Sequence, residues 1–254
     1  MKMDVVQVDV RNCLLALPMF NEFSRPAYDE LVKSSRIRRI DRGHMVFRSG
    51  DSCEEFHFLI DGQVKLYISS LTGNEKVVEM VGPGHSFEEA TMFTGKPHSL
   101  NAQAMNDIVL ISIKKQSIFD EITREPHFSL HMLSNISRRV QNLLRDIEGY
   151  SLNTGMQRLI DYLLNDLQED HILTQGVVSV YLPASKATIA SRLSLTPEYF
   201  SRVLHELESE ELIEINKRVI RIFDIQRLAR YGNEEHLSPA KKNDSDQSLN
   251  LFKD

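Results

Sequence analysis

Residues 184–223 carry the pattern that most restricts the fold of this 254-residue chain. Two short helical patterns are followed by the end of a third helix and by a small hairpin. The first of these patterns has one apolar face, which includes a small residue where two helices must cross closely. This face consists of Ile189, Ala190, Leu193 and Leu195. Thr196 can cap the next helix through its hydroxyl, and Pro197 suits the first helical position, where a missing N–H costs nothing. This order predicts a winged helix-turn-helix.

The helix after Pro197 has an outer face suited to the DNA major groove. Its inward positions are Val203, Leu204 and Leu207, which leave Glu198, Ser201 and Arg202 three to four residues apart on the other face. Glutamate can accept from cytosine N4, and arginine can bind guanine O6 and N7 together. The alternative is an ordinary solvated surface. The predicted DNA-binding residues are Lys186, Arg192, Thr196, Glu198, Tyr199, Ser201 and Arg202.

The overall charge argues against nucleic acid, whereas the local charge does not. The formal net charge is −6, while DNA-binding proteins usually carry a basic surplus. The acidic residues of the C-terminal region, however, cluster away from the proposed reading face. A local basic stripe is expected around the reading helix and the wing, formed by Arg192, Arg202, Lys217, Arg218 and Arg221.

Length and composition predict two domains in a soluble, cytoplasmic protein. No apolar run approaches the roughly 18 residues of a membrane span, and the N-terminus lacks the basic-then-apolar order of a signal peptide. No membrane partner is therefore expected. Two cysteines, Cys13 and Cys53, are too few for a disulfide framework or a four-thiolate metal site. Idle thiols are the simplest interpretation, and a redox switch is the alternative.

Short alternating segments punctuated by glycine predict an all-β barrel or roll between residues 36 and 114. The candidate strands are Arg36–Asp41, Met45–Arg48, Glu55–Ile60, Gln63–Ser69, Lys76–Val81, Ser99–Ala104 and Ile108–Ile113. Turn signals such as Asp61-Gly62 and Gly73-Asn74 separate them. The preceding zone, residues 10–35, is predicted to be helical.

A regular apolar stripe follows the β region. Its residues follow one another at intervals of three and four positions, and they are Leu133, Ile136, Val140, Leu143, Ile147 and Tyr150. This 3.5-residue period favours a two-chain coiled coil, and hence a homodimer. The alternative is a helix packed on its own domain.

These patterns predict an α+β protein with four parts. Residues 1–125 form a β-roll domain, and residues 126–152 form a coiled-coil dimerisation helix. Residues 153–231 form the winged helix-turn-helix domain, which begins with a helix near Gly155–Glu169. The polar residues 232–254 are predicted to be a disordered tail.

This order of parts resembles the Crp/Fnr-type bacterial transcription regulators over residues 10–228. The resemblance implies that the β-roll of residues 1–125 is a cyclic-nucleotide-binding-like sensor. Two segments look like the β-roll turns of that family, Gly43-x-x-Val46-Phe47-x-x-Gly50-Asp51 and Phe56-x-x-Leu59-Ile60-x-Gly62-x-Val64. The segment Gly84-x-x-Phe87-x-Glu89 resembles its phosphate-binding cassette. Glu198-x-x-Ser201-Arg202 resembles the Fnr-type reading helix. The resemblance implies double-stranded DNA with an inverted TTGAT-like repeat as a partner, and RNA polymerase as a second partner of any activator.

Departures from the family pattern bear on the effector. Glu88-Glu89 stands where nucleotide-binding members have Gly-Glu, and the cassette arginine aligns near His98, with no arginine close in sequence. Cyclic AMP is therefore not expected, because its phosphate would meet an added carboxylate and no bidentate partner. Cys13 stands alone, which excludes the N-terminal iron–sulfur cluster of one branch. The haem-ligating histidine of the carbon-monoxide-sensing branch would fall at Ala90.

The Dnr-like branch resembles this chain most in Phe87-x-Glu89-Ala90-x-Met92-Phe93 and in the reading helix. Its members respond to nitric oxide through haem, so the resemblance implies haem b as a cofactor, with no axial ligand assigned among the sensor histidines. The predicted effector pocket consists of Phe87, Glu89, Met92, Phe93, His98 and Ser99.

Two other functions are the alternatives. A cupin-like metal enzyme would need His-x-His followed by a glutamate, and His44 and His57 are isolated. No catalytic residues are expected, so the chain is not predicted to be an enzyme. The second is a Crp/Fnr-type regulator that is ligand-independent or controlled by oxidation of Cys13 or Cys53.

Overall fold

The structure is a computed structural model that describes residues 9–15, 17, 20, 23–168 and 177–234. The described residues form two compact units. The first lies within Met1–Ser151 together with Ala184–Pro197, and the second within Leu152–Pro183 together with Glu198–Asp254. The final helix extends to Glu234, so the predicted tail is helical at its start, and residues 235–254 lie outside the described residues.

The predicted α+β class is confirmed, with a β-roll, a long helix and a winged helix-turn-helix in that order. The strands of the roll are β1 (Ser35–Ile40), β2 (Met45–Phe47), β3 (Glu55–Asp61), β4 (Val64–Ser69), β5 (Glu75–Val81), β6 (Ser86–Phe87), β7 (Asn101–Ala104) and β8 (Ile108–Lys114). Its helices are α1 (Val10–Leu15), α2 (Arg25–Lys33), α3 (Glu89–Thr94) and α4 (Lys115–Arg124). The predicted strands agree with these to within about two residues at each end. Within the described part of the predicted helical zone, residues 10–35, there are two separate α-helices, and β1 begins at Ser35.

Two antiparallel four-stranded sheets build the roll, in the orders β1-β8-β3-β6 and β2-β7-β4-β5. Inward residues of both sheets form one core, which includes Phe47, Leu59, Leu66, Phe87 and Leu110. This burial explains the alternating pattern, because every second residue of a strand points to the same face. A second core lies between one sheet and the helices, and it includes Leu31, Phe56, Met92, Ile118 and Phe128.

Gly62 shows why one predicted turn needs glycine. Its φ is +87°, in the left-handed region, and a Cβ there would lie 2.6 Å from the carbonyl oxygen of Asp107. A side chain would therefore meet both backbone strain and a clash.

The long helix α5 spans Pro126–Leu152, with proline at its first position. After it the first unit contains α7 (Lys186–Arg192). Ser185 precedes α7, and its hydroxyl accepts a hydrogen bond from the Thr188 N–H at 3.2 Å.

The second unit contains α6 (Gly155–Gln168), α8 (Pro197–Ser209, whose first residue lies in the first unit), α9 (Ile225–Glu234) and the strands β9 (Val178–Tyr181), β10 (Ile213–Asn216) and β11 (Val219–Ile222). The sheet order is β10-β11-β9, and the hairpin β10–β11 is the predicted wing. Gly232 of α9 lies against Ile160 of α6, where a Cβ would come within 3.1 Å of the isoleucine side chain. None of the described helices is long and apolar enough to cross a membrane.

Candidate DNA-reading helix and effector pocket

The helix α8 begins at Pro197, as predicted, and has one buried and one exposed face. Phe200, Val203, Leu204 and Leu207 are buried. Glu198 and Arg202 are exposed and Ser201 is partly exposed. Because the buried face anchors the helix, the polar face can present hydrogen-bonding groups without weakening the core.

Arg202 is oriented by its neighbour Tyr199. The guanidinium carbon lies 4.9 Å from the centroid of the tyrosine ring, a cation–π distance. Such a contact restricts the long arginine side chain before it meets a base edge. Glu198 occupies the first turn, where a carboxylate is favoured by the helix dipole.

The other predicted DNA-binding residues lie in the first unit. Lys186 starts α7 and is partly buried, and Thr196 is exposed just before α8. Arg192 ends α7, where its guanidinium forms an ion pair with Asp146 of α5 at 2.7 Å and donates to the Tyr150 hydroxyl at 3.0 Å. The predicted residues are thus divided between two units, and Arg192 already has protein partners.

The wing carries fewer free charges than the sequence suggests. Lys217 has a φ of 55° at the hairpin turn, and Arg218 follows it. Arg221 forms an ion pair with Glu214 across the hairpin at 2.8 Å, so its charge is locally neutralised.

The cassette residue Glu89 is buried and paired with an arginine that the sequence reasoning missed. Arg139 of α5 donates to Glu89 Oε2 and to the Ser86 carbonyl, each at 2.5 Å, and the Ser86 hydroxyl also donates to Glu89. Glu79 lies 3.4 Å from the same guanidinium. Burial raises the pKa of Glu79, although Arg139 opposes this effect. Arg139 follows Glu89 by 50 residues, and no local pattern links the two.

Glu88, at the position of the family glycine, adopts the left-handed conformation with φ 67°. Its carboxylate accepts from the Thr91 hydroxyl at 2.7 Å and from His98 Nδ1 at 3.2 Å. The two departures from the family pattern therefore contact each other. The His98 ring stacks on Phe47 with 3.7 Å between ring centroids.

His98 is held as a cation. Burial lowers its pKa, but hydrogen bonds with Cys53 and Glu88 outweigh burial and raise the pKa to about 9. A protonated imidazole has no lone pair for a metal, so His98 would have to lose this proton before it could bind iron.

Of the remaining predicted pocket residues, Phe87 lies near His98, because its ring centroid is 6.2 Å from that of Phe47, on which His98 stacks. Phe87 and Met92 are buried in different cores, Phe87 within the roll and Met92 beneath the helices. Phe93 is 38% exposed and packs edge-on against Phe119 of α4, and Ser99 is exposed.

A cavity of about 880 Å³ lies at one end of the roll. Phe47, His57 and His98 line it, together with four basic residues, Arg36, Arg38, Lys114 and Lys115, and three acidic ones, Asp51, Glu54 and Glu55. His57 Nδ1 lies 3.0 Å from the Ser112 hydroxyl. Burial, followed by the charge of Arg38, lowers the pKa of His57 to about 3, so this imidazole stays neutral. A neutral imidazole at a cavity is chemically suited to haem iron.

The predicted dimerisation residues lie along α5. Leu133, Val140, Leu143 and Ile147 are 46–59% exposed, and Ile136 is half-buried. Tyr150, the last of the stripe, contacts Arg192 and Lys76 instead of standing free.

Comparisons with known proteins agree with this architecture. The family model "Cyclic nucleotide-binding domain" matches residues 37–125, and "Crp-like helix-turn-helix domain" matches residues 157–231. A curated relative, the CRP-like cAMP-activated global transcriptional regulator of Mycobacterium tuberculosis, is 23% identical over 84% of this chain and 95% of its own.

One solved structure shows the same fold, and a second is similar in sequence. A CooA mutant from Carboxydothermus hydrogenoformans has a TM-score of 0.70 at 19% identity, covering 83% of this chain and 91% of that one. DNR from Pseudomonas aeruginosa is 31% identical over 88% of this chain and 98% of its own, with a TM-score of 0.46.

A β-roll followed by a long helix and a winged helix-turn-helix defines a DNA-binding transcription regulator, and the relatives are regulators rather than enzymes. The chain belongs to the Crp/Fnr family of such regulators.

Proposed function

We propose that this regulator acts as a homodimer on an inverted TTGAT-like repeat and responds to a gas or redox signal other than cyclic AMP. The observation that carries the DNA-binding part is the polar face of α8. There Glu198, Ser201 and Arg202 stand over a fully buried apolar face. The resemblance of these residues to the Fnr-type reading helix supports the half-site.

The homodimer is supported by the apolar stripe of α5. A single chain leaves Leu133, Val140, Leu143 and Ile147 exposed at coiled-coil spacing. Contiguous exposed apolar surface of this kind marks an interaction site. Pairing two copies of α5 would bury it, and a two-fold dimer would place the reading helices in major grooves about 34 Å apart. As an activator, such a dimer would also contact RNA polymerase.

The exclusion of cyclic AMP is supported by the pairs within the cassette. Glu88 is bound to His98, and Glu89 is bound to Arg139. A cyclic phosphate entering here would meet two carboxylates whose cationic partners are already taken, and would have to break a buried ion pair.

The reading helix is tested by replacing Arg202 with alanine. Loss of a bidentate arginine contact should cost about 1–3 kcal/mol and relax the preference at one base pair. Binding-site selection by sequencing measures this preference. Arg221→Ala is the matched control, because the Arg221 guanidinium is paired with Glu214. An unchanged base preference in the Arg202 variant would refute the assignment.

The gas-sensing candidate rests on the neutral imidazole of His57 at the cavity of the roll. Resemblance to the Dnr-like branch suggests haem and nitric oxide, and His57 is the residue that could hold the iron. The basic residues Arg36, Arg38, Lys114 and Lys115 could bind the haem propionates. When bound there, haem would supply an iron that takes up nitric oxide.

Absorption spectra during haem titration test this candidate. A stoichiometric Soret band should appear with the wild-type protein and with His98→Ala, and should be lost or shifted in His57→Ala. An equal band in all three proteins contradicts the assignment of His57. If no specific band forms and DNA is bound regardless, the thiol-controlled or ligand-independent regulator is favoured. Cys53, which interacts with His98, would then be the first thiol to test.

A further inference from the structure

The helix α7 belongs to one domain by its sequence and to a different compact unit by its contacts. It lies within the residues matched as a Crp-like helix-turn-helix domain, but it belongs to the compact unit of the β-roll and α5. Its contacts in that unit explain this arrangement.

Lys76 of β5 binds the C-terminal end of α7. Its ammonium donates to the carbonyls of Ser191 and Arg192, at 2.9 and 2.8 Å, and to the Ser194 hydroxyl at 2.7 Å. A cation at this point satisfies carbonyls that have no partner within the helix and matches the negative end of the helix dipole. Lys76 also lies 4.3 Å from the centroid of the Tyr150 ring.

Ser191 of α7 covers the free edge of β5. Its hydroxyl accepts from the Val77 N–H at 2.9 Å and donates to the Glu75 carbonyl at 2.8 Å. Because β5 is the last strand of its sheet among the described residues, no described strand pairs with these two backbone groups.

Arg192 is held by α5. Its guanidinium pairs with Asp146 at 2.7 Å, and the Tyr150 hydroxyl donates to its carbonyl at 2.7 Å. The Arg192 side chain is 19% exposed as a result. Both terminal nitrogens of the Arg192 guanidinium are engaged, one by Asp146 and one by the Tyr150 hydroxyl, so a DNA phosphate would have to compete with these partners.

The hydrogen-bonding groups of this contact are charged or polar, so water could satisfy them if α7 separated from β5. They adjoin a cavity of about 510 Å³, which is lined by polar residues such as Asn74, Lys76 and Thr188 and by the apolar residues Val77, Ala187, Leu195 and Pro197.

We propose that Lys76, Asp146 and Tyr150 form an autoinhibitory latch that holds α7 on the sensor and withholds Arg192 from DNA. The proposal rests on the proposed DNA-binding function and adds its control. Two of the three latch residues, Asp146 and Tyr150, lie on α5, the helix that also carries the proposed dimer stripe and the cassette partner Arg139. A signal that repositions α5 would open the latch.

The test compares Lys76→Met and Asp146→Ala with matched controls. Lys33→Met removes a lysine of α2 that pairs with Glu30, and Glu148→Ala removes another acid from α5. Affinity of the effector-free protein is measured by fluorescence anisotropy on a duplex with an inverted TTGAT repeat. Hydrogen exchange of the α7 amides is measured on the protein alone, and circular dichroism confirms folding.

Each latch variant should bind the duplex about tenfold more tightly, the factor expected for one lost charge-assisted hydrogen bond, and should exchange faster in α7. The controls should match the wild type. Folded latch variants with unchanged affinity would overturn the proposal. If no protein binds the duplex, the proposed operator fails, while faster α7 exchange still supports the latch and unchanged exchange refutes it.

Discussion

Glu88 places a charged side chain where the backbone favours glycine. A non-glycine residue in the left-handed region costs about 1 kcal/mol or more, and Glu88 has φ 67°. Its carboxylate offsets this cost through Thr91 and the cationic His98. The sequence indicated a lost glycine and a lost arginine at these positions, but it could not show that the replacements pair with each other.

The stability of the roll should depend on pH through His98. Its folded-state pKa of about 9 exceeds the ordinary 6.5, so its contribution is complete below pH 6.5 and is lost as pH rises through 9. The protonation of His98 should contribute at most about 3 kcal/mol to the free energy of unfolding. Urea unfolding at a series of pH values from 6 to 9.5 measures how the free energy of unfolding changes with pH.

Glu88→Gln is the variant that tests this origin. Without the carboxylate the pKa of His98 falls, so the loss of stability between pH 6.5 and 9 should become smaller. Some dependence should remain, because Cys53 still contacts the imidazole. An identical slope in both proteins would show that the Glu88 pair is not its source.

Among the elements, α5 has the clearest sequence signal and the most exposed apolar residues. Val140, at the centre of the stripe, is 50% exposed in the single chain. Val140→Glu should give a monomer with weak operator binding, because a carboxylate in the seam would have to be buried without a partner. Multi-angle light scattering reads the mass directly.

Gln141→Glu is the control for charge on α5. It adds the same negative charge one residue away, off the stripe, and should remain dimeric. A dimeric Val140→Glu protein would show that the stripe is not the seam.

The elements that escaped prediction include α4 and α9, each of ten residues, and the shorter β6 and α3. The strand β6 has only two residues and exists because it pairs with His57 and Phe58 of β3. The helix α3 has six residues and follows the left-handed Glu88. Both depend on partners or backbone angles that a local periodic pattern does not contain, whereas the longer strands repeat every second residue and were located well.

Over the whole molecule, the order of parts could be predicted because each part has its own period: two residues in the roll, 3.5 in α5, and alternating helix and hairpin signals at the C-terminal end. The site could be predicted only in its local portion, the polar face of α8. The pairs Arg139–Glu89 and Lys76–Ser191 join residues 50 and 115 positions apart, and no spacing rule connects them.

The contact between the Ser191 hydroxyl of α7 and the edge of β5 has a consequence for the solubility of the protein. Whenever α7 leaves, the Val77 N–H and the Glu75 carbonyl become an open sheet edge, the kind of surface on which foreign strands add and aggregates start. The flanking charges of Glu75 and Lys76 would then be the main protection of that edge. In such a regulator the inactive form, with α7 on β5, is the form least prone to aggregate. The active form that is not bound to DNA is the form most prone to aggregate.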